Sequence, residues 1–316
     1  MVAEVVRSGF AESRHRAAIA ALNADGTVAL AAGLAAEPVF PRSSNKPIQA
    51  AAMLGCGLDL DGKLLALAAA SHSGEDFHVA GVREILARSG LAEGALRCPP
   101  DLPIDPSAQR ALLRSGGGPD RIHMNCSGKH AAMLATCVAA GWPTGSYRDP
   151  DHPLQLQIRR ILERLAGEQV AAVGVDGCGT PVLAISLTGV ARAFRAMVLA
   201  APGSPERKVA DAMRAYPEWT SGTARPERAL MAAVPGLLLK SGAEGVEAFA
   251  LADGRAGAFM IDDGGQRARP AVTVALLRAL GTDETLLAGL SALGAPAVLG
   301  GGQVVGEIRV KIPREP

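Results

Sequence analysis

Two short apolar runs, residues 17–22 and 27–32, flank Asn23-Ala24-Asp25-Gly26, and that pattern predicts a β-hairpin. A second hairpin is predicted over 245–251 and 256–261, turning through Ala252-Asp253-Gly254-Arg255. Between the hairpins, apolar positions recur at helical spacing over 47–54, 63–70, 78–88, 129–140, 154–165, 191–201 and 206–216. Residues 98–106 are rich in proline and predict a loop, and 170–175 predict a short strand entering the turn Asp176-Gly177-Cys178-Gly179-Thr180-Pro181. Helices over 270–280 and 285–293 and a strand over 303–312 close the chain. Strand material thus lies at both ends and helical material in the middle. The expected fold is α+β, an antiparallel sheet from both terminal regions with a helical insertion, in a single domain over 1–316. The lack of regular strand–helix alternation argues against a doubly wound sheet.

Composition narrows the function classes. Hydrophobic residues at 48% and charged residues at 20% suit a globular core, but aromatics are only 3%, so that core must be aliphatic. Few aromatics also leave little for stacking nucleic-acid bases. The 32 basic and 31 acidic residues nearly cancel, so no charge footprint for nucleic acid or an anionic membrane is present. No apolar stretch has transmembrane length, and the first residues lack a signal-peptide pattern. Five scattered cysteines fit a reducing compartment, and a cytoplasmic location is expected.

Candidate chemistry begins at Arg42-Ser43-Ser44-Asn45-Lys46-Pro47, ahead of an apolar helical run. A serine hydroxyl needs a base, and an amine serves if burial or a nearby cation lowers its pKa. Residues i and i+3 share a helix face, so Lys46 is expected to reach Ser43. The same spacing marks the nucleophile of serine β-lactamases and penicillin-binding proteins. The plainer reading is a helix cap with a solvated lysine. Pro47 disfavours helical geometry at Lys46, which counts against the alignment.

Further polar clusters interrupt apolar runs. Ser71-His72-Ser73-Gly74-Glu75 reads as a pocket rim or as a helix end closed by Gly74. Asn125-Cys126-Ser127-Gly128-Lys129-His130 opens a helix, whose first amides suit a carboxylate or an oxyanion. It is no phosphate loop, because His123 and His130 occupy positions that need Gly and Ser or Thr. Cys126 and Cys178 are candidate thiolate ligands, with Asp176, Lys129 or His130 completing a shell; two inert buried thiols are the alternative. Asp151-His152-Pro153 reads as a cap with proline in the first turn. Lys240, alone, reads as a surface lysine.

Taken together, Arg42 to Pro47 with Gln49, Ser71 to Glu75, Asn125 to His130, Asp151 to Gln155, Asp176 to Cys178 and Lys240 to Gly245 resemble the rhizobial-type, thermolabile L-asparaginases. The resemblance spans nearly the whole chain. It implies a fold akin to serine β-lactamases and glutaminases, and two Ser-Lys tandems, Ser43 with Lys46 and Ser71 with Lys240. It further implies a zinc-type site of Cys126, Lys129 and Cys178 with Asp176 close by, substrate contacts from Arg42, Asn125, His130 and Asp176, and a homodimer. The chain departs from the family at Ala224, which stands for a glycine, and at Pro226 and Glu227. Gly300-Gly301-Gly302-Gln303 replaces a more polar loop, with a consequence expected at the interface or the site rim.

The expected reaction is hydrolysis of L-asparagine to L-aspartate and ammonia. Ser43 attacks, Lys46 takes its proton, amides near Ser43 hold the oxyanion, and Ser71 with Lys240 relays a proton. Either serine is a candidate for the first attack. Two rival readings are a penicillin-recognising acyl-enzyme and a non-catalytic module that binds an amino acid or a metal. No Lys-Thr-Gly strand supports the first, and a binding pocket has no need of paired lysines.

Overall fold

The computed structural model describes residues 2–312. Every strand pairing in it is antiparallel. The fold is α+β, as expected, but the terminal strands form two sheets rather than one. One sheet has the order Ala297–Gly300, Gln303–Val310, Ala3–Arg7, Phe10–His15. The other runs Val28–Ala32, Ala17–Leu22, Ala256–Ile261, Val246–Ala250, Leu238–Ser241. A third, small sheet joins Pro38–Val39, Pro181–Ser186 and Ala172–Val175.

Both predicted hairpins are present in the five-stranded sheet. Its two faces differ in residue size, which places the helices. Ala18, Ala20, Ala248, Ala250, Ala256 and Ala258 belong to the core shared with the helical middle. Ile19, Phe249, Phe259 and Ile261 belong to a second core, with helix Arg269–Ala279 and the four-stranded sheet. Alternation of Cβ direction along a strand produces this split. The alanine face lets helix Leu187–Leu199 lie close across three strands.

Several elements depart from the sequence expectation for local reasons. Strands Ala3–Arg7 and Phe10–His15 turn through Ser8 and Gly9, both at positive φ, a tight-hairpin geometry. Pro181–Ser186, whose first residue was expected in a turn and whose others had no assignment, is a strand buried at every position, so it shows no alternation. Helix Leu187–Leu199 starts earlier than predicted because the Ser186 hydroxyl accepts from the Gly189 amide. The predicted helix over 285–293 breaks into Glu284–Ala288 and Ser291–Gly294 on either side of Gly289. His152, not Asp151, caps helix Pro153–Ala166, accepting from the Leu154 amide. Gly301 and Gly302, at positive φ, form the tip of a hairpin in the four-stranded sheet rather than a rim of the site. No helix among the described residues is long and apolar enough to cross a membrane.

Candidate active site

Four elements converge where the helical middle meets the edge strand Leu238–Ser241. A 3-10 turn, Arg42–Asn45, runs directly into helix Lys46–Gly55. Lys46 is helical despite Pro47 (φ −60°, ψ −34°), so the expected clash is accommodated. Ser71 lies just beyond helix Gly62–Ala68, and Cys126 caps helix Ser127–Ala140. Pleating sends Lys240 toward the helical layer beside Leu238, while Leu239 and Ser241 face the opposite core.

Of the two expected tandems, Ser71 with Lys240 is present and Ser43 with Lys46 is not. The Lys46 amine donates to the Ala70 carbonyl at 2.7 Å, to Ser71 Oγ at 2.9 Å and to Cys126 Sγ at 3.1 Å. Those three partners match the three N–H bonds of an ammonium and leave none for Ser43. Among the described residues none hydrogen-bonds the Ser43 hydroxyl. Lys46 therefore reaches across to the end of the next helix instead of back along its own turn. Lys240 Nζ lies 3.0 Å from Ser71 Oγ and 2.7 Å from the Ser241 carbonyl. Ser71 is thus held between two amines, each at most 2% exposed. Burial, then the neighbouring Lys46 charge, push Lys240 well below the ordinary lysine value, so its neutral form is favoured.

The loop carrying Ser71 is tied down on two sides. The Ser71 amide donates to the Thr220 carbonyl, and Ser73 Oγ donates to the Ser221 carbonyl. Glu75 accepts from the amide and the hydroxyl of Thr223. His72 Nδ1 accepts from the Gly74 amide, so Nε2 carries the proton and donates to Ser127 Oγ at 2.8 Å. Burial and the neighbouring His78 keep His72 neutral.

Beside Lys46 lies a soft donor cluster. Lys129 Nζ sits 3.0 Å from Cys178 Sγ and 2.9 Å from Thr180 Oγ1. The proximity of the two sulfurs raises Cys126 and lowers Cys178. Burial would lower Lys129, but the charges of Cys178 and Cys126 outweigh it and hold its amine above the ordinary lysine value. His130 is fully buried. Its Nδ1 lies 2.6 Å from Tyr147 Oη, and its Nε2 has no partner. Burial, then Lys129, lower His130 to about 4.

Among the described residues no group of three or more His, Cys, Asp and Glu side chains is arranged to hold a metal. The cluster fits a soft ion such as zinc only if Lys129 joins Cys126 and Cys178 after losing its proton. The orphaned His130 nitrogen leaves one further donor beside that set.

At the mouth, Arg42 Nε donates to Asp176 Oδ1 at 2.8 Å, and Arg42 Nη1 lies 3.7 Å from Glu244. Both Arg42 and Glu244 hold left-handed backbone, at φ 51° and 58°. Asn125 Oδ1 accepts from Cys126 Sγ, and the Asn125 carbonyl from the His72 amide, so Asn125 braces the loop.

Gly242 presses against the start of this turn. A Cβ there would meet the Pro41 carbonyl at 2.8 Å and the amides of Ser43 and Ser44 at 3.3 Å. Gly242→Ala is expected to lower turnover at least about tenfold by displacing the backbone under Ser43 and Lys46. Wild-type turnover with an unchanged circular dichroism spectrum would refute this.

Beneath Lys240 is a buried ionic network that the sequence did not announce. Glu227 Oε1 accepts from Ser241 Oγ, from Arg269 Nη2 at 3.0 Å and from Arg225 Nη2 at 3.2 Å. Arg269 Nε lies 3.3 Å from Glu247, which also accepts from Thr273. Removing one partner from such a buried pair costs about 3–5 kcal/mol. The available signal was a charge inside each of two apolar stretches, Glu247 in strand Val246–Ala250 and Arg269 opening helix Arg269–Ala279.

A cavity of about 660 Å³ lies elsewhere, between strands Ala17–Leu22 and Val28–Ala32 and the end of helix Arg269–Ala279. Its lining is aliphatic apart from Arg278, so it offers no nucleophile.

The α+β scaffold thus buries two lysine amines on one serine hydroxyl. The chain belongs to the L-asparaginase II family, whose model matches residues 3–310. No curated protein matches it. Solved structures similar to it include Mglu in its native form, at 15% identity, covering 89% of this chain and 68% of that one, TM-score 0.47. A putative beta-lactamase from Bacteroides dorei is 13% identical over 84% of this chain and 93% of that one, TM-score 0.48. A beta-lactamase from Mycobacterium bovis is 14% identical over 84% and 95%, TM-score 0.46.

Proposed function

We propose that this protein hydrolyses the side-chain amide of L-asparagine to L-aspartate and ammonia. Family membership supports the amide as substrate class. The observation that carries the mechanism is the Ser71 hydroxyl held between Lys46 and Lys240. In this reading Ser71, rather than Ser43, makes the attack. Neutral Lys240 takes the Ser71 proton as Oγ bonds to the amide carbon. The adjacent Lys46 stabilises the developing negative charge. The carbon–nitrogen bond breaks, and the leaving nitrogen takes a proton from a lysine ammonium to depart as ammonia. Water then attacks the ester, giving one proton to the neutral amine, and Ser71 recovers its hydroxyl proton as aspartate leaves.

Arg42 orients the substrate carboxylate, and Asp176 holds Arg42 in place. Ser43 faces the same mouth and contributes a hydrogen bond to substrate. Cys126, Cys178 and Lys129 would hold zinc, whose charge the two thiolates would largely neutralise, leaving it the chemistry of an open coordination position that helps place substrate. A homodimer in the cytoplasm completes the proposal.

Ammonia release measured with L-asparagine against L-glutamine tests the substrate, and asparagine is expected to be preferred. Tight asparagine binding without ammonia would overturn hydrolysis, and covalent labelling by a fluorescent penicillin would favour the acyl-enzyme rival. Protein purified without chelator is expected to carry near-stoichiometric zinc. Its absence, with activity unchanged in chelator, would remove the metal.

A further inference from the structure

The lysine that takes the Ser71 proton in the proposed mechanism stands on a strand whose other face hydrogen-bonds a buried carboxylate. Lys240 points to the helical layer and Ser241 to the opposite core. The Ser241 carbonyl receives the Lys240 amine at 2.7 Å, while the Ser241 hydroxyl donates to Glu227. One residue therefore links the amine, through its carbonyl, to the carboxylate, through its hydroxyl.

We propose that Glu227 is a positioning residue for Lys240: it anchors the backbone that receives the amine and supplies a buried counter-charge on that face.

Two further observations support this. First, the charges around Lys240 are otherwise mostly positive. Lys46 faces it from helix Lys46–Gly55, Arg225 from the cap of helix Pro226–Ala233, and Arg269 from helix Arg269–Ala279. Glu247, from the neighbouring strand, is pushed up by burial and is taken up by Arg269 and Thr273. Burial opposes the charge on Glu227 too, but Arg269 and Arg225 outweigh it and hold its carboxyl at about 2. Second, Glu227 is unevenly used. Its Oε1 takes three donors, while its Oε2 is buried with no partner. A brace selected for stability alone would satisfy both oxygens.

The inference rests on the proposed hydrolysis, but its test can be read without substrate. The variants are Glu227→Gln, which keeps the shape and removes the charge, and Glu227→Asp, which keeps the charge. The titration of Lys240 is followed by NMR of ε-¹³C-lysine, assigned by comparison with a Lys240→Arg protein. Glu227→Gln removes an anion that favours the charged amine, so the Lys240 midpoint is expected to fall by about one pH unit. The acid limb of kcat should move down with it, kcat should fall about 10- to 100-fold, and KM should change little. Glu227→Asp should restore the midpoint. A lowered Tm in Glu227→Gln with the Lys240 midpoint unmoved would overturn the proposal. A shifted midpoint in a protein that releases no ammonia from asparagine would sustain it while refuting the hydrolysis.

Discussion

Ser71→Ala is expected to slow ammonia release from L-asparagine by at least about 10³-fold, with the circular dichroism spectrum unchanged. Removing a nucleophile leaves only the catalysis supplied by binding and charge stabilisation, a loss of about 10³- to 10⁶-fold in comparable hydrolases. Ser71 is the hydroxyl that both amines reach, at 2.9 and 3.0 Å, so its removal leaves Lys46 and Lys240 with no proton to exchange between them. Ser43 touches neither amine, and Ser43→Ala is expected to lose about tenfold, the scale of one substrate hydrogen bond. Mass spectrometry of a slow substrate trapped as an ester should find it on the peptide carrying Ser71. An ester on Ser43, or a Ser43→Ala loss exceeding that of Ser71→Ala, would transfer the attack to Ser43.

The second large effect belongs to Lys240. Lys240→Arg keeps a positive charge but cannot be deprotonated near neutral pH, so it removes the base and not the cation. Turnover is expected to fall by about 10²- to 10⁴-fold. The wild-type pH profile carries the same information. Folding lowers the Lys240 pKa, so the neutral base accumulates as pH rises through that lowered value. The acid limb of kcat/KM should therefore lie well below the ordinary lysine value of about 10.4. A limb near 10, or appreciable turnover in Lys240→Arg, would assign the base elsewhere.

What the sequence disclosed follows the range of each interaction. The hairpin over 245–251 and 256–261 was legible because turn chemistry and apolar pattern lie in the same few residues. The strands at Ala3–Arg7 and Pro181–Ser186 were not, the first because Ser8-Gly9 is a weak turn signal, the second because burial on both faces removes alternation. The residues of the site carried motif signals, and Lys46, Ser71, Cys126 and Lys240 do meet. The resemblance paired Ser71 with Lys240, and the two do lie 3.0 Å apart, but the partner of Lys46 was not legible. A local rule joined Lys46 to Ser43, whereas the folded lysine reaches 25 residues along the chain to Ser71. Glu227, Arg225, Arg269 and Glu247 come together from separate segments, and no spacing within one of them reveals that network.

The pairing of the chain's two ends also sets an order of events during synthesis. Strand Ala17–Leu22 has its central-side partner in Ala256–Ile261, and Ala3–Arg7 waits for Gln303–Val310. At roughly 5–20 residues per second, the early strands leave the ribosome roughly 10–50 s before those partners exist. Throughout that interval Ile19 and Leu22, fully buried at the end, have no sheet to enter from that side. The helical middle, whose contacts are more local, has time to collapse first. Lys240 is made after Ser71, so the serine's surroundings form before its second amine arrives. A nascent chain arrested before residue 238 should expose these strands to chaperones and to edge-to-edge association.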